Sequence, residues 1–231
     1  MSDAPAARPA APSAQTAPPL ATTARPVVGV LALQGDFEAH ARVLARLGAR
    51  LREVRTAREL DALDGLVIPG GESTSMTIGI ERERLAEPLR ELVLRGLPVF
   101  GSCAGLIVLD REHLGVMDVL AKRNAFGRQL RSFEADVELA GLAGGPVHAL
   151  FIRAPQIAEH GPHVEVLARV GEGAHAVAAR EGAVLAIAFH TELGRDDRVH
   201  SLFLERVREF ASATWRLRTP AMTRKPAERA A

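Results

Sequence analysis

Cys103 is the only cysteine in the chain, and it stands in Gly101-Ser102-Cys103-Ala104-Gly105. The apolar run Leu97-Pro98-Val99-Phe100 precedes this segment and Leu106-Ile107-Val108-Leu109 follows it. A strand that turns sharply into a helix holds its turn residue in a strained backbone, with the side chain exposed above the sheet. Small residues two before and two after allow strand and helix to cross closely. The helix N-terminus, with its unpaired N–H groups and dipole, favours negative charge at such a position. By residue type alone a lone cysteine is a buried, inert small side chain. The flanking glycines and the strand-to-helix setting point instead to a nucleophile.

A nucleophilic thiol needs a base, and His190-Thr191-Glu192 offers one. The short apolar run Val184-Leu185-Ala186-Ile187-Ala188-Phe189 ends there, as a buried central strand ends at its carboxyl edge. Chemistry in open α/β sheets gathers at those edges, so Cys103 and His190 can meet despite their separation in sequence. The histidine would take the thiol proton and later protonate a leaving group, and a carboxylate behind it would fix its tautomer. In extended chain, His-x-Glu places both side chains on one face.

A third segment, Gly65-Leu66-Val67-Ile68-Pro69-Gly70-Gly71-Glu72-Ser73-Thr74-Ser75, runs from an apolar strand into paired glycines and a polar helix start. Ser73 or Thr74 is the expected helix cap. The glycines let backbone N–H groups approach a ligand. A phosphate cradle is one reading, but the Gly-Lys-Ser/Thr ending of a P-loop is missing. An oxyanion hole is the favoured reading, with the N–H of Ala104 as one donor and a glycine N–H of this loop as the other.

The elements that must position these groups follow from periodicity. Val27 to Leu33 reads as a buried strand, Phe37 to Leu47 as a helix closed by Gly48, Leu51 to Val54 and Leu66 to Ile68 as strands. Glu83 to Arg95 reads as a helix ending at Gly96, and Leu97 to Gly101 as the strand bearing the nucleophile. This alternation implies a parallel, doubly wound sheet. The middle differs: Ser132 to Leu139 alternates apolar and polar residues. Val164 to Leu167 and Ala176 to Ala179 flank Gly171-Glu172-Gly173 as a hairpin would. The expected fold is therefore α/β, a three-layer mixed and mainly parallel sheet with helices on both faces and an antiparallel edge. Val199, Leu202, Phe203, Val207 and Phe210 form an apolar helical stripe that reads as core packing.

Composition narrows the function classes. At 231 residues and 47% apolar content, the chain fits one domain plus tails. A net charge of +1 argues against nucleic acid or a membrane surface as the dominant partner. No apolar run approaches the roughly 20 residues of a membrane span. One cysteine leaves no internal disulfide, which suits a reducing cytoplasm. Residues 1–26 read as a disordered Ala/Pro-rich tail, 27–214 as the domain, and 215–231 as a basic C-terminal tail. His160 and His163 lie in a Gly-Pro loop with no third ligand near, so no metal is expected. His40 reads as a packed or surface histidine of the first helix.

In order along the chain come Gly29 to Gly35, Pro69 to Thr74, Gly101 to Leu106, Arg123 to Gln129, Ser132-Phe133-Glu134, Phe151 to Pro155 and Phe189 to Leu193. As an ordered set they resemble the glutaminase subunits of pyridoxal 5′-phosphate synthase, within the triad-type (class I) glutamine amidotransferases. The resemblance spans roughly residues 27 to 214. Ile107, four residues after the nucleophile, is similar to this family, whereas many related glutaminases carry Gln there. The resemblance implies a Cys103-His190-Glu192 triad that hydrolyses L-glutamine, an oxyanion hole from Gly71 and Ala104, and substrate contacts from Gly71, Glu72, Ser73, Arg123, Ile152 and Arg153. It implies no cofactor, and a synthase subunit as hetero-oligomeric partner and receiver of ammonia. Two departures from the family pattern stand out. Thr191 replaces the usual proline between His and Glu, and Asp110 to Gly115 is shorter than expected. A cysteine hydrolase or chaperone of the related elbow families and a non-catalytic scaffold are the rival classes. The downstream His-x-Glu argues against the first and the intact triad against the second.

Overall fold

The computed structural model describes residues 25–123 and 132–218, with backbone alone at 215–218. The tail readings for residues 1–24 and 219–231, and the Asn124 to Gln129 part of one motif, lie outside the described residues. The chain enters the fold already at Pro26, which is buried and whose carbonyl accepts from Arg50 N–H at 2.8 Å.

The first half alternates as its periodicity requires. Strand β1 (Val27–Leu31) leads to α1 (Phe37–Arg46), β2 (Arg50–Val54), β3 (Gly65–Ile68), α2 (Ser73–Arg82) and α3 (Ala86–Leu94). Then come β4 (Val99–Ser102) and the short α4 (Ala104–Leu109). Seven further strands follow: β5 (Val119–Lys122), β6 (Ser132–Val137), β7 (Val147–Ile152), β8 (Gln156–His160), β9 (Glu165–Val170), β10 (His175–Glu181) and β11 (Val184–Ile187). The last element is α5 (Arg198–Arg218). Two expectations shift. The helix expected from Glu83 starts at Ala86, because Glu83 closes α2 and Arg84 adopts a left-handed φ of +55° that breaks the chain direction. The cap of α2 is Glu72 rather than Ser73 or Thr74: its carboxylate accepts from Thr74 N–H (3.0 Å) and Ser75 N–H (2.7 Å). A longer acidic side chain one residue earlier reaches the same orphan donors. Helix α5 also runs on across the boundary drawn after residue 214.

Nine strands make one sheet in the order β2-β1-β3-β4-β11-β10-β8-β5, with β9 also paired to β10. The pairings β2-β1-β3-β4-β11 are parallel, and those of β10 with β11, β9 and β8, and of β8 with β5, are antiparallel. The expected hairpin is β9–β10, and β6–β7 forms a separate antiparallel pair. Which helix covers which face follows from strand alternation. The Phe100 ring meets His40 of α1 and His200 and Phe203 of α5, whereas Gly101 faces Leu109 and Gly105 of α4. Helices therefore lie on both faces of a mixed, mainly parallel sheet. Among the described residues no helix is long and apolar enough to cross a membrane.

After α4 the chain returns quickly to β5 around Asp110. Its fully buried carboxylate accepts from the N–H groups of Glu112 (3.0 Å), His113 (3.2 Å) and Ala121 (3.2 Å). One side chain thus ties the short connection to the following strand.

The crossing of β4 and α4 tests the elbow. A Cβ on Gly105 would press on the Ile68 carbonyl, and one on Gly101 would lie 2.9 Å from the Gly105 carbonyl carbon. Backbone atoms cannot give way as a flexible side chain can. Gly105→Ala is expected to cost roughly 1–3 kcal/mol or more, read as a lowered midpoint in chemical unfolding. Wild-type stability in that variant would mean that the close crossing is dispensable.

Candidate active site

Strands β3, β4 and β11 are neighbours, and each sequence-derived catalytic segment leaves the carboxyl end of one of them. Ile187 pairs with Ser102, and Cys103 N–H continues the ladder onto the Ile187 carbonyl at 2.8 Å. His190 is three residues beyond that pairing. It is fixed by a two-way bridge to Leu150 of β7, with His190 N–H to Leu150 C=O at 2.8 Å and the return bond at 3.3 Å. The bridge also brings Ile152 and Arg153, just past Leu150 on the same segment, over Cys103; the Ile152 carbonyl lies 4.0 Å from its Sγ.

Cys103 has φ +49° and ψ −102°, a conformation costly for a residue with a Cβ. The side chains of the trio are withdrawn from bulk water, with relative exposures of 7% for Cys103, 4% for His190 and 6% for Glu192. His190 Nδ1 meets Glu192 Oε1 at 2.5 Å, and Cys103 is an electrostatic neighbour of its ring. Burial alone would push the imidazole toward neutrality. The interactions with neighbouring Cys103 and with Glu192 outweigh it and raise the pKa to about 10. Burial likewise works against the Glu192 charge, but the neighbouring imidazoles and hydrogen bonds lower its pKa to about 2. Thr191 N–H donates to Glu192 Oε2 at 2.9 Å. A proline here would have no such donor, so the threonine adds a bond to the carboxylate instead of loosening the pair.

The Gly70-Gly71 loop closes the site from the β3 side. A Cβ on Gly70 would run into the His190 ring, and Gly71 has φ +143° with the Gly35 Cα only 2.8 Å from where a Cβ would stand. The Gly70 carbonyl accepts from Asp36 N–H at 3.2 Å. In a planar trans peptide this fixes which way Gly71 N–H points. Gln34 completes the arrangement by accepting Glu72 N–H at 2.8 Å.

A recess of about 170 Å³ opens beside Cys103, lined by Gly71, Glu72, Ser73, Cys103, Ala104, Ile107, Arg123, Ile152, Arg153 and Pro155. All six residues expected to touch substrate are on this wall. The volume is several times a water's share of liquid, about 30 Å³, and suits one small molecule. Arg123 is steadied by Thr74 Oγ1 (3.1 Å), and Arg153 holds a left-handed φ of +46°. The Glu72 carboxylate accepts from Thr74 N–H, Ser75 N–H and Ser75 Oγ–H. The Ser75 hydroxyl and the two N–H groups hold its pKa at about 2, which keeps it an anion.

Among the described residues one trio of potential metal ligands comes together, Asp36, His190 and Glu192, with ligand atoms within 4.8 Å of one another. Two of the three are already bonded to each other. Sequence reasoning missed Gln34, Asp36 and Pro155 around the site, and read His40 only as packed or exposed. His40 is fully buried, with Nε2 3.5 Å from Glu192 Oε1. The one available signal was its place on the apolar stripe of α1, with Ala39, Val43 and Leu44.

The sequence profile of the SNO glutamine amidotransferase family matches residues 30–209. Pyridoxal 5′-phosphate synthase subunit PdxT of Frankia casuarinae is 53% identical over 194 residues, covering 80% of this chain and 96% of that protein. The protein of the same name from Acidothermus cellulolyticus is 54% identical over 192 residues, with 78% and 93% covered. A crystal structure of a glutamine amidotransferase superposes with a TM-score of 0.73 at 45% identity, covering 78% of this chain and 98% of that one. With more than half its length matched, and close relatives covered almost end to end, this chain belongs to the SNO glutamine amidotransferase family.

Proposed function

We propose that the chain is the glutaminase subunit of a pyridoxal 5′-phosphate synthase, releasing ammonia from L-glutamine for a synthase partner. The observation that carries this reading is the meeting of Cys103, His190 and Glu192 at adjacent strand ends, opening on an amino-acid-sized recess.

Cys103 Sγ attacks the side-chain amide carbon of glutamine, and the carbonyl π electrons move onto oxygen. The N–H groups of Ala104 and Gly71 hold that oxyanion. Ala104 occupies the first helical position of α4, where an N–H has no partner within the helix. The tetrahedral centre collapses, the C–N bond breaks, and His190 supplies the proton that lets nitrogen leave as ammonia. His190 then takes a proton from water as it attacks the thioester, and returns it to sulfur as glutamate departs. Glu192 orients His190 and steadies the imidazolium. Arg123 and Arg153 suit the substrate carboxylate, and the anionic Glu72 suits its ammonium. Ser73 and Ile152 complete the wall. Ammonia must cross to the partner through a closed interface, since in bulk water it would protonate.

Cys103→Ala should lower glutamine hydrolysis by on the order of 10³ to 10⁶ while leaving the fold intact, as measured by ammonia release in the presence of the synthase. Retention of more than a few per cent of wild-type rate would defeat the mechanism. His190→Asn should be near-dead and Glu192→Gln weakened but measurable.

The raised pKa of His190 also links the site to stability. Its contribution is fully present below the unfolded value of about 6.5 and disappears as pH rises through the folded value of about 10. Wild-type thermal midpoints should therefore fall across that window, and Glu192→Gln should flatten the fall. Parallel curves for the two proteins would refute the linkage.

Coupling to the partner is expected at Gly70-Gly71. The Asp36–Gly70 hydrogen bond holds that peptide, and turning it to change which group faces the oxyanion would give that bond up. The isolated chain should hydrolyse glutamine slowly and the complex faster through kcat, by the roughly 10² to 10³ that one oxyanion donor supplies. Gly71→Ala, crowded by Gly35, should blunt that activation more than it weakens glutamine binding. An isolated chain running at the complexed rate would rule out the switch.

A further inference from the structure

Glu192 is held from a second side, by groups that belong to neither the triad nor the recess. His40 on α1 and His200 on α5 are both 0% exposed, and His40 Nδ1 lies 3.0 Å from His200 Nε2. The other nitrogen of His40, Nε2, is 3.5 Å from Glu192 Oε1, the same oxygen that meets His190. Phe100 stands edge-to-face with each ring, at centroid distances of 5.7 Å to His40 and 5.4 Å to His200.

A neutral pair can place its protons in two ways. In one, His40 Nδ1–H donates to His200, and His40 Nε2 turns a bare lone pair toward an anionic carboxylate. In the other, His200 Nε2–H donates to His40 Nδ1, and His40 Nε2–H points at Glu192. The carboxylate repels the lone pair and attracts the N–H, so the second arrangement is the stable one. It leaves a lone pair on His200 Nδ1 without a partner, while His40 Nε2, which makes no hydrogen bond, faces Glu192 Oε1 at 3.5 Å. An N–H stranded there would be harder to accommodate.

We propose that His40, set in its Nε2–H tautomer by His200, is a positioning residue that holds Glu192 against His190. The consequence for catalysis rests on the glutaminase reading above; the proton arrangement does not. Neutrality is essential to the role, because a cationic His40 would compete with His190 for the same oxygen. Burial drives both imidazoles below the ordinary histidine range, His200 to about 3. Among the groups facing them, Glu192 and Asp36 favour the charged form of His40 and His190 opposes it, while for His200 the charges of His40 and Arg46 oppose and Glu192 favours. Burial prevails, so Glu192 receives an N–H dipole from His40 and a charge only from His190.

The test combines long-range ¹H–¹⁵N NMR of the wild-type imidazoles with pH profiles of ammonia release by the chain in complex with its synthase. His40 should be neutral with its proton on Nε2 between about pH 6 and 9. His40→Met should lower kcat by roughly tenfold with little change in KM, and bring the alkaline limb of the profile down by about one pH unit as His190 loses its anchored carboxylate. His40→Gln, whose amide N–H can stand where Nε2–H stood, should recover most of both losses; a pair that merely fills the core would move stability and leave the limb in place. An Nδ1–H tautomer at His40, or a His40→Met profile matching wild type, overturns the proposal. Should His40→Met not fold, His200→Phe replaces it, since it removes the donor that sets the tautomer. The same alkaline displacement is then expected, and its absence is decisive. If the wild-type complex releases no ammonia, the glutaminase reading fails, and the NMR tautomer still decides the arrangement at His40.

Discussion

The parallel pairing of β4 with β11 is the constraint on which the site depends. Its register sets Ser102 opposite Ile187, and Cys103 N–H extends the ladder by one bond. A slip of one residue would invert every side chain beyond it, sending either the thiol or the imidazole to the wrong face. Both strands are buried along their whole length, so the apolar runs Val99-Phe100 and Val184 to Ile187 exclude such slips. The pairing also holds Cys103 in a left-handed conformation that costs on the order of 1–3 kcal/mol by itself. That strain persists because the strand before it and the helix after it are both fixed, with Gly101 and Gly105 in contact.

Burying Glu192 is the second constraint, because a carboxylate taken out of water is tolerated only when its oxygens are met by donors. Here Oε2 takes Thr191 N–H, and Oε1 takes His190 with His40 beyond it. The substitution of threonine for proline is then not a relaxation of the motif. It exchanges a pre-set backbone for a further hydrogen bond to the charge. The Thr191 hydroxyl, buried and without a partner, is what that exchange leaves behind.

Much of this was legible in the chain because local chemistry and global fold agree. The nucleophile elbow could be read from two glycines and two apolar runs, and the His-x-Glu pair from its place after a buried strand. What escaped were features with no local punctuation. The break between α2 and α3 falls at Arg84, announced only indirectly by Pro88, which a helix accepts in its first turn. The cap of α2 comes from Glu72, because a glutamate can reach back to donors usually met by serine or threonine. His40 and His200 are 160 positions apart, and each looks like one polar residue on an otherwise apolar helical stripe. Only the packing of α1 beside α5 makes them a pair.

Strand β4 divides the work between the two faces of the sheet. Gly101 looks toward α4 and allows the close crossing that strains the nucleophile, while Phe100, its neighbour in sequence, looks toward α1 and α5 and packs on the histidines behind Glu192. One side therefore bears on the conformation of Cys103 and the other on the surroundings of Glu192. The two sides meet at the ring of His190, which bonds to Glu192 and lies where a Cβ on Gly70 would stand. This separation follows from nothing more than the alternation of side chains along one four-residue strand.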